Sequence, residues 1–418
     1  MISSVSTAFL GAASYKPVSP EAASPATSTS AADESAAKVD LSPAALRLQQ
    51  AREALAILDR FARAMRGNVG GNWDQASQLL GRTFDQIIEA TSNSVTLGSK
   101  GNDAISGRSN INVQAGEGDD AILGWSNSNV SGGQGNDVIV VWADSQVTGG
   151  DGDDSIKAWS NARVSGGAGN DVIDVWSDSA VEGDDGNDVI KAWSDSRVNG
   201  GDGNDYIEAW SNSIVDGGNG DDVIRAWSGS TVYGNSGNDV ISGGPNTRIY
   251  GGEGHDVIEA GSGSTVDAGR GDDMIVTGPD VVVLAGDGND TIAARYSTVT
   301  GGKGDDQISL INSTAVFNVG DGNDRIVSDS LNNTIRFGDG LAAGKAQFSF
   351  DGERTTITFS GNAADSITLT TQWAGSVTLE FADGTRFDVP AEFRAGLSVD
   401  KVKESAARFR QAMLDRVV

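Results

Sequence analysis

The sequence predicts a mainly β chain: a parallel β-roll, or β-solenoid, with 17-residue turns, a short helical cap before it and an antiparallel β cap after it. Three observations predict this. Isoleucine recurs at 105, 122, 139, 156, 173, 190, 207, 224, 241, 258, 275 and 292, every step seventeen residues. Aspartate stands two places before each of them. Each turn also divides into a glycine-rich half, "GGDGNDYIE" at 200–208, and an eight-residue half, "AWSNSIVD" at 209–216. A fixed period of this length is the mark of a chain that stacks one structural unit on the next.

Residues 1–40 are rich in Ala, Ser, Thr and Pro with few large apolar groups, a composition that predicts disorder. Residues 41–95 read as a helical cap. In its first helix Ser42 is the N-cap, Pro43 occupies the first helical position, and Leu48, Ala51, Leu55, Leu58, Ala62 and Met65 form one apolar stripe. A second helix is expected over roughly 75–90, carrying Leu79, Leu80, Phe84, Ile87 and Ile88. These helices are expected to cover the exposed end of the solenoid.

The solenoid itself spans 96–332. A one-residue deletion moves the next pair to Asp306 and Ile308, and an insertion then gives Asp324 and Ile326, making about fourteen turns. From 333 to 395 short alternating strands follow, with turns at Asp351-Gly352 and Asp383-Gly384, and 396–418 reads as a terminal helix. The β segment is expected to cap the last turn, since an open sheet end invites pairing with another chain.

The glycine half, G-G-x-G-N/D-D-x-I-x, resembles the nonapeptide of the RTX, or haemolysin-type, calcium-binding repeats, over about 230 residues at 98–327. The "FADGT" at 381–385 is similar to the β-domain that often follows such repeats. The chain departs from the family in its second half-turn, where "AWSNSIVD" replaces a second glycine nonapeptide. Cations should therefore line one edge, while A-W-S-x-S turns the other.

Calcium wants six to eight oxygens at about 2.3–2.6 Å, and glycine loops let carbonyls turn inward. The resemblance implies multiple calcium ions, each between successive loops. The carboxylates would come from Asp103, Asp120, Asp137, Asp154, Asp171, Asp188, Asp205, Asp222, Asp239, Asp256, Asp273, Asp290, Asp306 and Asp324. Carbonyls would come from Gly133, Gly135, Gly150, Gly152, Gly167, Gly169, Gly201, Gly203, Gly218, Gly220, Gly252 and Gly254. Stacked carboxylates repel unless a divalent ion lies between them, so folding should require calcium.

The formal charge of −28 disfavours nucleic acid and anionic membranes, and no apolar run reaches the roughly 20 residues that span a bilayer. There is no cysteine, so calcium would replace disulfides as the staple. The start, "MISSVSTAFLGAASYKP", lacks the basic residues of a cleaved signal. The resemblance implies a secreted, extracellular protein of a Gram-negative bacterium that leaves through type I export machinery. Two readings of the "DRVV" end stand: an uncleaved export signal, or a plain helix docked on the cap.

Two further columns repeat. The ninth position alternates in sign through Lys157, Asp174, Lys191, Glu208 and Arg225, which predicts exposed ion pairs between turns. Trp125, Trp142, Trp159, Trp176, Trp193, Trp210 and Trp227 stand one per turn. Parity counted from the buried isoleucine points these rings outward, beside an inward small residue such as Ala158 or Ala192. The column is either a ladder of stacked rings that staples the corner or a ligand platform for polysaccharide or a cell surface. His255, the one histidine, falls where other turns carry Asn or Asp and reads as a loop substitution. No H-E-x-x-H or G-x-S-x-G motif occurs, so the zinc-protease and lipase relatives are excluded. The functional expectation is a non-enzymatic calcium-binding surface, matrix or host-interaction protein. The alternatives are an extracellular carbohydrate-binding protein and, third, a polysaccharide-modifying enzyme.

Overall fold

The computed structural model describes residues 80–328, 332–351, 353–371 and 377–389, with helical positions 49, 52–57, 60, 61, 63, 77 and 78 before them. Each solenoid turn gives one strand to each of two parallel sheets. Tyr206–Ala209 lies between Val189–Ala192 and Val223–Ala226, which sets Ile190, Ile207 and Ile224 side by side. Arg197–Asp202 lies between Ala180–Asp185 and Ile214–Asn219, aligning Val181, Val198 and Val215. We call these the isoleucine sheet and the valine sheet.

Alternation along each strand sends every second side chain inward. In one turn Ile207, Ala209, Ser213 and Val215 are buried, and the same positions are buried in neighbouring turns. The core is therefore a file of isoleucines facing a file of valines, with alanine filling the narrow corner. Full burial of each such isoleucine contributes about 1.5–3 kcal/mol. The deletion and insertion leave this file intact, because Ile292, Ile308 and Ile326 remain partners and the length change falls outside the paired strands.

The structure departs from the sequence expectation at both ends. Residues 86–90, expected to be helical, form the strand Gln86–Ala90, in parallel register with Asp103–Gly107. Gly81 at φ 67° stands between the helical positions near 78–80 and this strand, in a backbone region that suits glycine. The solenoid thus begins a full turn earlier. At the other end Asn333–Phe337 is parallel, between Thr314–Phe317 and Val377–Glu380, and Asn362–Thr371 pairs parallel to Asn323–Ser328. Antiparallel strands then finish the stack: Ala346–Phe350 and Thr355–Phe359 on one sheet, Arg386–Asp388 on the other. Phe337, Phe359, Phe381 and Phe387 fill that end with stacked and edge-on rings.

The described helical residues do not cover the open end. Phe61 is buried among Ala104, Ala121, Leu123, Val138 and Val140, with Leu55, Leu80 and Phe84 packed around it. These are outward positions of the isoleucine sheet, so the helix lies along the side of the first turns. On the first turn itself Ile87, Val95 and Leu97 stay exposed. This placement also corrects the ion-pair ladder. Lys157 and Asp174 do pair, but the two residues are only 5% and 9% exposed. A pair so desolvated contributes less than its contact suggests, because burial costs both ions their water.

Candidate metal centre

The glycine half of each turn builds one edge of the solenoid, and the turn at 200–205 is representative. Asp205 sits on the inner side of the loop, 2% exposed. Its N–H donates to Asp222 Oδ1 at 2.8 Å, while its own Oδ1 accepts the Asp188 N–H at 2.8 Å. This inner ladder continues from Asp103 N–H to Asp120, and on through Asp306 N–H to Asp324. A second ladder runs outside it in the opposite sense. Asn204 N–H donates back to Asn187 Oδ1, and Asp221 N–H to Asn204 Oδ1, both at 2.8 Å. His255 serves in this outer ladder, where its Nδ1 accepts the Asp272 N–H at 2.7 Å.

The inner ladder uses one carboxylate oxygen per turn and leaves the other. Oδ2 of Asp120, Asp137, Asp154, Asp171, Asp188, Asp205, Asp222, Asp239, Asp256, Asp273, Asp290 and Asp306 is buried without a hydrogen-bond partner among the described residues. Burial raises these carboxyls, with repulsion from neighbouring carboxylates adding to it at most of them and the accepted N–H opposing it. Asp205 and Asp290 rise to about 6, and Asp120, Asp171, Asp239, Asp273 and Asp306 to about 7. Asp137, Asp154, Asp188, Asp222 and Asp324 rise to about 8. Of the twelve orphaned oxygens, only those of Asp120 and Asp137 have an arginine, Arg82, near enough to lower their carboxyls.

Carbonyl oxygens supply the rest of the donor set. Those of Gly152, Gly169, Gly186 and Gly203, and of Asp153, Asn170, Asn187 and Asn204 beside them, accept no backbone hydrogen bond among the described residues. Gly203 at φ 134° can accept the Gly186 carbonyl against its Cα, where a Cβ would stand under 3.0 Å from that oxygen. The glycine facing the free carboxylate oxygen is a different one, the first of each motif. A Cβ on Gly200 would stand under 3.0 Å from both Asp205 Oδ2 and the Gly217 carbonyl oxygen. Gly132, Gly149, Gly166, Gly183, Gly217, Gly234 and Gly251 repeat this arrangement. Sequence reasoning named the glycines at the second and fourth positions and passed over the first, although its restriction to glycine, or to alanine at 115, 268 and 285, across the regular turns was the available signal.

No three His, Asp or Glu side chains converge on a point among the described residues. A cation here would instead take carboxylate from the inner ladder and carbonyls from successive loops. Such an all-oxygen set suits a hard cation of flexible coordination. The orphaned oxygens and the cradle a methyl group would fill both fit calcium.

The opposite edge is closed without a metal. Asn212, at φ 62°, makes the left-handed turn that Asn, Asp or Gly makes elsewhere in the column. The buried Ser213 hydroxyl then accepts the Ser196 N–H at 3.3 Å, and Ser230 accepts from Ser213 at 3.2 Å. The tryptophans point outward and stack. Trp125, Trp142 and Trp159 follow at 5.3 and 4.8 Å, and Trp176, Trp193 and Trp210 at 5.2 and 4.5 Å, while Trp227 tilts by 58°. Trp142 and Trp159 also pack against the cluster around Phe61. Their faces are turned mostly to one another.

Comparison with protein families finds four copies of the RTX calcium-binding nonapeptide repeat, at residues 194–213, 211–232, 216–247 and 246–266. No curated protein matches the chain. Among solved structures, the chain is similar to a hyperactive, Ca2+-dependent, β-helical antifreeze protein from an Antarctic bacterium. That match has 21% identity and a TM-score of 0.39, covering 59% of this chain and 84% of that one. The chain thus carries RTX calcium-binding repeats on a parallel β-solenoid, and calcium is the cation those repeats bind. Among the described residues no helix is long and apolar enough to cross a membrane.

Proposed function

We propose that this is a secreted, non-enzymatic calcium-binding β-roll that folds on meeting calcium outside the cell and acts there as a surface, matrix or host-interaction protein. One observation carries the reading: the file of twelve buried carboxylate oxygens without partners. Left ionised and unpaired, such groups each cost several kcal/mol, and a domain has only about 5–15 kcal/mol in all. Calcium ions between successive loops remove that cost and make metal binding part of folding. Low cytosolic calcium then keeps the chain open for type I export, and the C-terminal segment is its address. Circular dichroism in excess chelator should show the array largely unfolded, with millimolar calcium restoring β-structure cooperatively. A spectrum unchanged across that titration refutes the reading.

A second reading, carbohydrate binding, has one observation in its favour. Beside the tryptophan corner lies an open trough of about 520 Å³ lined by Asn127, Asn129, Asp144, Gln146, Asn161 and Arg163, among others. Amides and a guanidinium suit sugar hydroxyls better than ring edges do. Replacing Asn127 and Asn161 with glycine, which keeps their left-handed backbone, and Asn129 with alanine should abolish retention on a polysaccharide column that holds the parent protein.

A further inference from the structure

We infer that Arg82 stands in for a calcium ion at the N-terminal end of the metal edge, closing the gap between the loops of Asp120 and Asp137 with a guanidinium. The inference rests on the calcium reading above and adds where the ion file begins. Arg82 Nη1 lies 2.9 Å from the Asn136 carbonyl oxygen and 3.4 Å from that of Asp120, so one cationic group bridges two successive loops. In the following turns the carbonyls equivalent to Asn136, those of Asp153, Asn170 and Asn187, accept no backbone hydrogen bond among the described residues. Arg82 is also the cation whose charge reaches both the Asp120 and the Asp137 carboxylates.

The preceding turns are closed by protein donors as well. "GSKGND" at 98–103 replaces the second glycine with Ser99. Its N–H and hydroxyl donate to Asp103 Oδ2 and Oδ1 at 2.6 and 3.1 Å, and Asp103 Oδ2 is accordingly not orphaned. One turn earlier Gln86 replaces the aspartate, and the Asp85 N–H donates to the Asn102 carbonyl at 2.6 Å. The physical reason lies in the oxygens available. The Asn136 carbonyl is one a calcium ion would take, and here the guanidinium already occupies it, with five donors that suit carbonyls. Arg82 also follows the helical positions at 77, 78 and 80, so the same bond fastens the segment covering Leu123 and Val140.

The test is calcium stoichiometry on the full chain by equilibrium dialysis and calorimetry. Arg82→Gln should bind one more calcium than the parent, and Arg82→Lys, which keeps a tethered charge, should match the parent. Equal stoichiometry in the parent and a folded Arg82→Gln overturns the inference. Should Arg82→Gln fail to fold, a calcium-grown crystal of the parent decides. Anomalous density between later loops and a guanidinium between those of Asp120 and Asp137 support the inference, and an ion at the latter place overturns it. Absence of calcium binding in every variant would instead sink the calcium reading itself.

Discussion

One added methyl group at Gly200 tests the metal edge against the rest of the solenoid. Gly200 does not lie in the left-handed region, so alanine costs nothing in backbone strain there. The cost is one of space. A Cβ would stand under 3.0 Å from Asp205 Oδ2 and from the Gly217 carbonyl oxygen, one the free ligand atom and the other rigid backbone of the next turn. Overpacking of this kind costs about 1–3 kcal/mol, and the cost here lies at the lower end, because Ala115, Ala268 and Ala285 hold a methyl at this place with Asp120, Asp273 and Asp290 still in the inner ladder. The matched control is Gly229→Asn at the opposite corner. Gly229 has φ 77°, and its Cβ would meet only Asn212 Oδ1 at 2.6 Å, a side chain free to move. Asn212 and Asn161 already occupy the same place in other turns, at φ 62° and 58°. The control should stay within about 0.5 kcal/mol of the parent. Urea melts in saturating calcium would read the stability and calorimetry the binding of the ions. Gly200→Ala should lose about 1 kcal/mol, roughly a 5-fold shift in the folding equilibrium, and weaken binding of the ion beside Asp205. A Gly200→Ala protein with parental calcium binding and parental stability would refute the placement of the metal beside the first glycine.

Three further outcomes follow. A carboxyl whose folded pKa lies above its ordinary value of 3.8 favours the fold fully below 3.8 and loses that contribution as pH rises through the folded value. With the inner carboxyls at about 6 to 8, chelated protein should hold more β-structure at pH 5 than at pH 8. The difference is about 1–3 kcal/mol per carboxyl, and calcium should flatten it; more structure at pH 8 in chelator would contradict the assignment. Replacing Trp176, Trp193 and Trp210 with serine removes two stacked pairs, each worth about 0.5–1.5 kcal/mol beyond burial. The melting temperature should fall with the calcium count unchanged, whereas unchanged stability with loss of a surface ligand would favour the platform. Deleting 397–418 should retain the protein inside a host carrying a type I exporter, and deleting 1–40 should not; secretion surviving the first deletion counts against a C-terminal address.

The inner ladder and the isoleucine file were legible in the sequence because stacking forces the same demand on every turn. Asp205 must present one oxygen to a neighbour's N–H, and Ile207 must fill the same width of core as Ile190. The outward direction of the tryptophans was legible from parity, since Ala192 and Ala209 take the inner place next to them. The first turn was not legible, because Gln86 breaks the aspartate column and Leu80, Phe84, Ile87 and Ile88 mimic helical spacing. Yet "ATSNSV" at 90–95 matches "AWSNSI" at 209–214, and that half-turn marked the start. The helix on the sheet's flank had a signal too. Leu123 and Val140 stand in the ninth column where later turns carry Lys191, Glu208 and Arg225, and two successive outward apolar residues there point to a covering element. Lys157 and Asp174 come next in that column after the covered Leu123 and Val140, and they are buried too, which no charge pattern reveals. The serine ladder was hidden because Ser211 and Ser213 look alike in sequence, and only burial separates them.

The two edges divide the work of folding unequally. At the corner, most demands are met by the chain itself: Asn212 takes the left-handed turn, the Ser213 hydroxyl accepts the Ser196 N–H of the preceding turn, and the tryptophans cover one another, with only the Trp210 Nε1 there buried without a partner among the described residues. At the loops the N–H groups are bonded, but to carboxylates whose second oxygens remain unmet, and carbonyls such as those of Gly203 and Asn204 accept no backbone bond among the described residues. Each contact in either edge joins a turn to its immediate neighbour, so stability propagates as a chain of nearest-neighbour terms. Removing calcium therefore weakens every one of these terms along one edge while leaving the other intact. A lesion at the corner, such as the loss of stacked tryptophans, should subtract the same free energy at any calcium concentration. A lesion at the loops should matter in proportion to calcium, because it acts on the metal's share alone. The calcium dependence of a mutation's cost thus reports which edge the residue belongs to, without any need to see the ion.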